Sequence, residues 1–484
     1  MNFPAGLSLL RTQALIAGDW CEAESGKRFP VFNPAKGELI AQVADMDAAD
    51  ARRAIQSAAK AQVDWARTPV KERSLLLRRW FDLVMQHQEE LAQILTAEQG
   101  KPLVEARAEI AYGASYIEWF AEQAKRINGD IIPAPARHQR ISVIKQPVGV
   151  VAVITPWNFP NAMLARKLAP ALAAGCTLVA KPAAETPLSA LALAALAQEA
   201  GIPAGVINIV TGSDAAAIGA ELTGNPLVRK ISFTGSTAVG KLLIQQCAAD
   251  VKRITLELGG NAPFIVFDDA DLDVAVAGAM ASKFRNAGQT CVCANRFYVQ
   301  RNIYTAFSEK FEAAIRTLRI GDGAEPGISI GPLISPAALL KVQQLVDEAI
   351  GCGAQIAYQS PVNTTQGCFY PPTLLTRVPA HAALAETEIF GPVAALIAFD
   401  DEAQVIELAN RSVYGLAAYV FTRDYARIQR LGEQLQTGML GINTGLISNE
   451  MAPFGGIKQS GWGREGSVYG LDDYLDIKYI NESF

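Results

Sequence analysis

Histidine is nearly missing from this chain: His87, His138 and His381 are the only three. None stands in a metal-binding spacing such as H-E-x-x-H. A histidine-held zinc and a Ser-His-Asp triad are therefore both disfavoured, no metal site is expected, and acid–base work falls to carboxylates. Cysteine is sparse as well. The seven are scattered, odd in number and without a C-x-x-C pair. That argues against a disulfide framework and for a reducing, cytoplasmic home. Cys291-Val292-Cys293 is too close-spaced for ordinary zinc ligands. Basic excess is lacking too: the net charge is −5, so nucleic acid is not an expected partner. No apolar run reaches the ~20 residues of a membrane helix. The strongest, 168–180, holds Pro170 and Gly175 and reads as a buried helix end followed by a core strand. The first residues show neither the basic start nor the cleavage site of a signal peptide. Low-complexity tracts and solenoid-type repeats are also lacking.

What remains is an ordinary globular composition, 50% apolar, in a chain of 484 residues. That length exceeds one hydrophobic core, so about two or three domains are expected. Apolar side chains recur at helical spacing over 48–65 and 71–95, with Pro69 and Gly100 to Pro102 as breaks. From residue 148 the pattern changes. Continuous apolar runs at 148–154, 177–180, 206–210 and 228–233 are separated by helical stretches rich in Ala and Leu. Such alternation predicts a parallel sheet with crossover helices. Ligands of these sheets bind outside the carboxyl ends of the strands. Asn158, Lys181 and Gly235-Ser236 fall at those ends. A second α/β region starts near Asn261 and runs to about 460, and the strand-like tail 474–479 reads as pairing with another strand, in this subunit or another.

Five segments carry chemistry. In Gly288-Gln289-Thr290-Cys291, with Asn286 close by, the thiol follows a glycine turn and reads as an exposed nucleophile. Taken alone, Cys291 would read first as a packing residue; Gly288, Gln289, Thr290 and Asn286 shift the reading to catalysis. Cys293 reads as a packing residue or a redox-sensitive neighbour. Asn158, in Pro156-Trp157-Asn158-Phe159-Pro160, is either a turn residue or an amide donor to an oxyanion. Glu257, in Thr255-Leu256-Glu257-Leu258-Gly259-Gly260, ends an apolar strand, where burial raises a carboxyl toward the range of a general base. The run from Phe233 to Gly240 is a strand, a glycine turn and a helix start, which suits phosphate. Lys181 is placed for ribose hydroxyls or a phosphate, and Glu388, in Glu388-Ile389-Phe390-Gly391-Pro392, for a ribose diol.

Taken together with Pro453-Phe454-Gly455-Gly456, these segments resemble the aldehyde dehydrogenase superfamily over essentially the full length. The resemblance implies an α/β fold: a Rossmann-like cofactor domain (1–128 and 148–259), a catalytic α/β domain (260–460) and a small β oligomerisation flap (129–147 and 470–484). It implies Cys291 as nucleophile, Glu257 as the base that activates water, and Asn158 as oxyanion donor. Trp157, Lys181, Ala184, Gly235, Ser236, Glu388 and Phe390 would hold the dinucleotide. A homodimer or homotetramer is implied.

Within the superfamily, Cys291-Val292-Cys293, Phe284-Arg285-Asn286, Arg166-Lys167 and Gly445-Leu446-Ile447-Ser448 resemble the succinate-semialdehyde dehydrogenase group. Arg166 and Arg285 would then clamp a distal carboxylate, with Ser448 as a further donor. Each arginine alone also reads as a structural ion pair. Glutarate semialdehyde, one methylene longer, is an expected second substrate. Many NAD-preferring family members carry Glu three residues after the lysine. Here Ala184 stands there, which favours NADP over NAD, while Glu185 next to it keeps NAD open.

Overall fold

The computed structural model describes residues 7–362 and 366–484. Five parallel strands form the centre of the first sheet. In spatial order they are Ile207–Ile209, Leu178–Lys181, Val150–Ile154, Val228–Thr234 and Arg253–Glu257. Chain order therefore reads three, two, one, four, five, the doubly wound pattern that reverses beside Val150–Ile154. Antiparallel strands cover both edges: Ala14–Ile16 on one side, Gly461–Trp462 on the other. Each apolar run read as a buried strand becomes one.

The chain leaves this sheet at Glu257 and enters the second within a few residues, at Ala262–Val266. That sheet is ordered Gln355–Gln359, Thr373–Thr376, Val393–Phe399, Ala294–Gln300, Ala262–Val266, Ala417–Phe421 and Met439–Ile442. All its pairings are parallel except that of Gln355–Gln359. The carboxyl ends of the first sheet thus meet the amino ends of the second. Each sheet has its own apolar core.

A third, antiparallel sheet joins Asp130–Ile132, Gln139–Pro147 and Leu475–Ser483. The tail strand therefore pairs with its own chain, along the full length of Gln139–Pro147. The expected helix 71–95 is instead two, Val70–Gln86 and Gln88–Gln99. His87 leaves helical geometry (φ −100°, ψ 17°), and the second helix turns to pack on Leu103–Gln123 and Pro187–Glu199. Neither proline nor glycine marks the break, so periodicity could not register it.

Helix Pro160–Ala174 is buried at every residue. Pro160 occupies its first turn, where the missing N–H costs nothing. Helix Pro187–Glu199 starts the same way and takes its cap from a distant carboxylate. Buried Glu98 accepts the N–H groups of Leu188 (2.7 Å) and Ser189 (2.8 Å). Glu98→Ala should orphan both donors at roughly 1–3 kcal/mol each. The expected outcome is a clear drop in thermal midpoint by differential scanning calorimetry; an unchanged midpoint would mean that water replaces the cap.

Candidate active site

Cys291 lies between helix Leu272–Lys283 and strand Ala294–Gln300, at the amino edge of the second sheet. The backbone reaches it through a strained turn. Asn286 (φ 51°), Ala287 (φ 53°) and Gly288 (φ 76°) all stand in the left-handed region. A side chain at Gly288 would place its Cβ 2.2 Å from the Gly391 carbonyl oxygen. Gln289, fully buried, holds the turn shut. Its Nε2 donates to the Asn286 carbonyl (3.1 Å), and its Oε1 accepts the Ile334 N–H (2.9 Å). Gly260, on the crossing between the sheets, lies so close to Cys291 that a Cβ would sit 2.3 Å from its carbonyl oxygen.

Cys291 is half-buried rather than freely exposed. Burial pushes its thiol up to about 12; the Arg166 and Arg285 charges pull the other way, Glu388 and Glu257 with it. The turn thus presents a thiol that needs help to lose its proton. Glu257, the last residue of Arg253–Glu257, is the nearby carboxylate. Burial holds its carboxyl well above the usual range, with Glu465 adding to the shift and Arg166, Lys167 and Arg464 opposing it. Glu257 Oε2 is buried and, among the described residues, has no hydrogen-bond partner. Such a group is equipped to take a proton from a water or thiol that enters.

A cavity of about 270 Å³ joins these residues: Trp157, Asn158, Gly235, Ser236, Glu257, Cys291, Glu388 and Phe390 all line it. It opens at the reversal point of the first sheet, where Asn158 follows the first strand and Gly235-Ser236 the fourth. Asn158 Nδ2 donates to the Gln289 carbonyl (3.0 Å), and its Oδ1 accepts the Phe159 N–H (3.1 Å). The amide is thereby oriented with its donor toward the Cys291 turn. Ser236 caps helix Thr237–Cys247 through the Val239 N–H, so a helix N-terminus faces the cavity. Trp157 and Phe390 meet edge to face, 5.5 Å between centroids. Glu388 Oε1 accepts the Gly260 N–H (3.0 Å), and burial raises this carboxyl to about 7.

Residues 20–480 match the model of the aldehyde dehydrogenase family. The chain belongs to that family. It is 58% identical to the NADP(+) succinate-semialdehyde dehydrogenase of Escherichia coli, over 98% of each chain. It is also 58% identical, with the same coverage, to a glutarate-semialdehyde dehydrogenase of Pseudomonas putida. A crystal structure of succinate-semialdehyde dehydrogenase from Burkholderia pseudomallei superposes with TM-score 0.98 at 55% identity, covering all of both chains. An aldehyde dehydrogenase takes NAD or NADP as its hydride acceptor, and the reversal point, helix N-terminus and aromatic pair suit such a dinucleotide.

Other residues singled out in the sequence lie outside the lining of that cavity in this aldehyde dehydrogenase. Lys181 ends its strand, is buried and donates to the Pro182 carbonyl (3.2 Å). Burial lowers its ammonium pKa, against the pull of Glu185, Asp45 and Asp214. Ala184 and Glu185 line a second cavity of about 640 Å³. Arg166 is fully buried and ion-paired with Glu465; its Nη1 donates to the Tyr112 hydroxyl (3.3 Å). Its Nη2 is buried without a partner among the described residues. Arg285 lies over the Phe159 ring (5.3 Å) and forms no ion pair among the described residues. Ser448 is half-buried in the loop before Pro453. Next to it, the Asn449 carbonyl accepts from Tyr116, whose hydroxyl meets that of Tyr112.

Sequence reading missed Lys101, Glu109, Tyr112, Lys341 and Glu465. Only Glu465 carried a visible signal, a charged pair set between Gly463 and Gly466. Among the described residues no group of three metal-ligating side chains occurs, and no helix is long and apolar enough to cross a membrane. The raised thiol has a direct consequence. Alkylation of Cys291 by iodoacetamide, without substrate or dinucleotide, should speed up about tenfold per pH unit between about pH 7 and pH 9. A plateau below about pH 8, read by mass spectrometry of the labelled peptide, would mean that the thiolate is already formed at rest.

Proposed function

We propose that this aldehyde dehydrogenase oxidises succinate semialdehyde to succinate, with glutarate semialdehyde as a second substrate. The observation that carries the reading is the pair of guanidiniums beside the thiol. Among the described residues Arg285 forms no ion pair and Arg166 keeps one buried nitrogen without a hydrogen-bond partner, and the charges of both favour the Cys291 anion. An uncompensated buried donor is costly, and an incoming carboxylate would satisfy it. Both named relatives act on aldehydes that bear a distal carboxylate. One methylene changes binding by only ~1–3 kcal/mol, so the two substrates are weakly separated.

The residues act in turn. Arg166 and Arg285, with the Ser448 hydroxyl, anchor the carboxylate. Glu257 takes the Cys291 thiol proton and passes it to solvent; the Cys291 thiolate then bonds to the aldehyde carbon, and the carbonyl π pair moves onto the oxygen, whose negative charge is held by the Asn158 amide and the Cys291 N–H. Trp157, Lys181, Gly235, Ser236, Glu388 and Phe390 would hold a dinucleotide, which when bound would supply the hydride acceptor. With that hydride gone from the carbon, the acyl group stays on Cys291 as a thioester. Glu257 then takes a proton from water, the water oxygen attacks the thioester carbon, and Cys291 leaves as thiolate. The raised Glu257 carboxyl suits this step, since burial makes its carboxylate a stronger proton acceptor.

Residues 1–128 with 148–259 serve as the cofactor domain and 260–460 as the catalytic domain. The sheet built from 129–147 and the tail is the oligomerisation flap. Ile132 (44% exposed), Ile477 (72%) and Tyr479 (60%) share one face of it by register and leave that face apolar and uncovered, suited to a second copy of the chain.

Steady-state assays at 340 nm test the substrate. Cys291→Ala should abolish turnover while dinucleotide binding persists. Arg285→Ala should raise KM for succinate semialdehyde at least about tenfold, with little change for an uncharged aldehyde. Equal effects on both would favour the second reading, a dehydrogenase for another aliphatic or amino aldehyde. The dinucleotide is tested separately. Ala184 puts no carboxylate against a 2′-phosphate, which favours NADP. Ala184→Glu should raise KM for NADP about tenfold or more through like-charge repulsion, and leave KM for NAD equal or lower. Unchanged constants would move the choice to Glu185.

A further inference from the structure

Lys101 and Glu109 form an ion pair whose side chains are both 0% exposed. Neither lines the cavity, and a buried pair of this kind is weak as a source of stability, because desolvation offsets the attraction. Its hydrogen bonds show where it acts. Lys101 Nζ donates to the Asn158 carbonyl oxygen (2.7 Å), and the ammonium sits 3.8 Å from the Phe159 ring centroid. Glu109 Oε1 accepts the N–H groups of Asn161 (3.0 Å) and Ala162 (3.2 Å). These are free donors of helix Pro160–Ala174, which has no side-chain cap of its own. The pair therefore grips the chain on both sides of Asn158-Phe159: one partner holds the carbonyl, the other the helix start. Asn286 Nδ2, from the turn before Cys291, donates to the same Asn158 carbonyl (2.9 Å). The Asn158 backbone is thus pinned between the nucleophile turn and the ion pair. Its amide has little freedom left, with Nδ2 committed toward Gln289 and the cavity.

We infer that Lys101 and Glu109 are positioning residues for the reaction, acting through Asn158 to hold its amide donor where the oxyanion forms. The inference rests on the oxyanion role proposed for Asn158. Preorganised donors lose their value when displaced, and ~1 Å of misplacement costs on the order of 10²-fold in rate.

The test is a double-mutant cycle on full-length protein, with Lys101→Met, Asn158→Ala and the two combined. Lys101→Met should lower kcat roughly 10- to 100-fold, with KM for the aldehyde and the Kd for NADP by fluorescence titration within about twofold. Combined with Asn158→Ala it should add less than about twofold, because its route is already cut. Losses that multiply, or a Lys101→Met enzyme of full kcat, would overturn the inference while leaving the Asn158 role intact. Full kcat in Asn158→Ala alone would overturn the oxyanion role, and the positioning with it. If Lys101→Met does not fold, Lys101→Met with Glu109→Gln removes both charges together and leaves no orphaned ion. That variant goes through the same cycle against Asn158→Ala, with the same deciding outcomes.

Discussion

Two cations inside a helix that has no solvent face impose the strictest demand on this molecule. Arg166 and Lys167 sit mid-way along Pro160–Ala174, where every residue is buried. Unpaired charges there would cost several kcal/mol apiece. Glu465, almost 300 residues away, meets both. That single carboxylate draws the segment after residue 450 across the catalytic face. Phe454 comes to rest under the Arg166 guanidinium (4.2 Å), and Gly455 approaches Glu257 so closely that a Cβ would sit 2.9 Å from its Oε1. Gly461–Trp462 then extends the first sheet beyond Arg253–Glu257. Glu257 is therefore covered by a segment that the Glu465 ion pairs hold in place.

The same cluster sets the electrostatics of the reaction. Glu465 is held below the usual carboxylate range by its two cations. Glu257 lies beside it and is pushed the other way, by burial and by the Glu465 charge. Two neighbouring carboxyls are thus shifted in opposite directions, one held by its ion pairs and the other with an Oε2 that has no hydrogen-bond partner among the described residues. The guanidinium that neutralises Glu465 also favours the thiolate of Cys291. Around it, the tyrosine hydroxyls of Tyr112 and Tyr116 link Arg166 to the loop that carries Ser448. Arg166, Glu257, Glu465 and Cys291 share one charge network.

Geometry comes from the meeting of two sheets at opposite ends. The four residues between Glu257 and Ala262 carry the chain from one to the other. Gly259 and Gly260 bring this crossing against Glu388 and Cys291 where side chains would not fit. The reversal of strand order in the first sheet then supplies a crevice with a helix N-terminus on its wall. Cys291, Glu257, Glu388 and the helix start at Ser236 are brought to one cavity because one sheet ends where the other begins.

Much of this was legible in order along the chain. Continuous apolar runs become strands because both faces of a parallel sheet are buried, and that demand is local. Cys291, Glu257, Asn158 and Glu388 were visible because each sits in a short motif of glycines and polar residues whose spacing is itself local. The break at His87 was not legible, since it depends on what two helices pack against. Nor was the free choice of partner for the tail strand, which pairs within its own chain. The Lys101–Glu109 pair, the Tyr112 hydroxyl and the Glu465 contact left little mark, for their meaning lies in atoms far away in sequence. Residue types and near-neighbour spacing therefore settle the family and the strands, and single out the groups that line the cavity. Folding alone decides the half-buried state of the thiol, the raised carboxyl of Glu257 and the pairing of buried charges, because desolvation and Coulomb energy depend on distances in space.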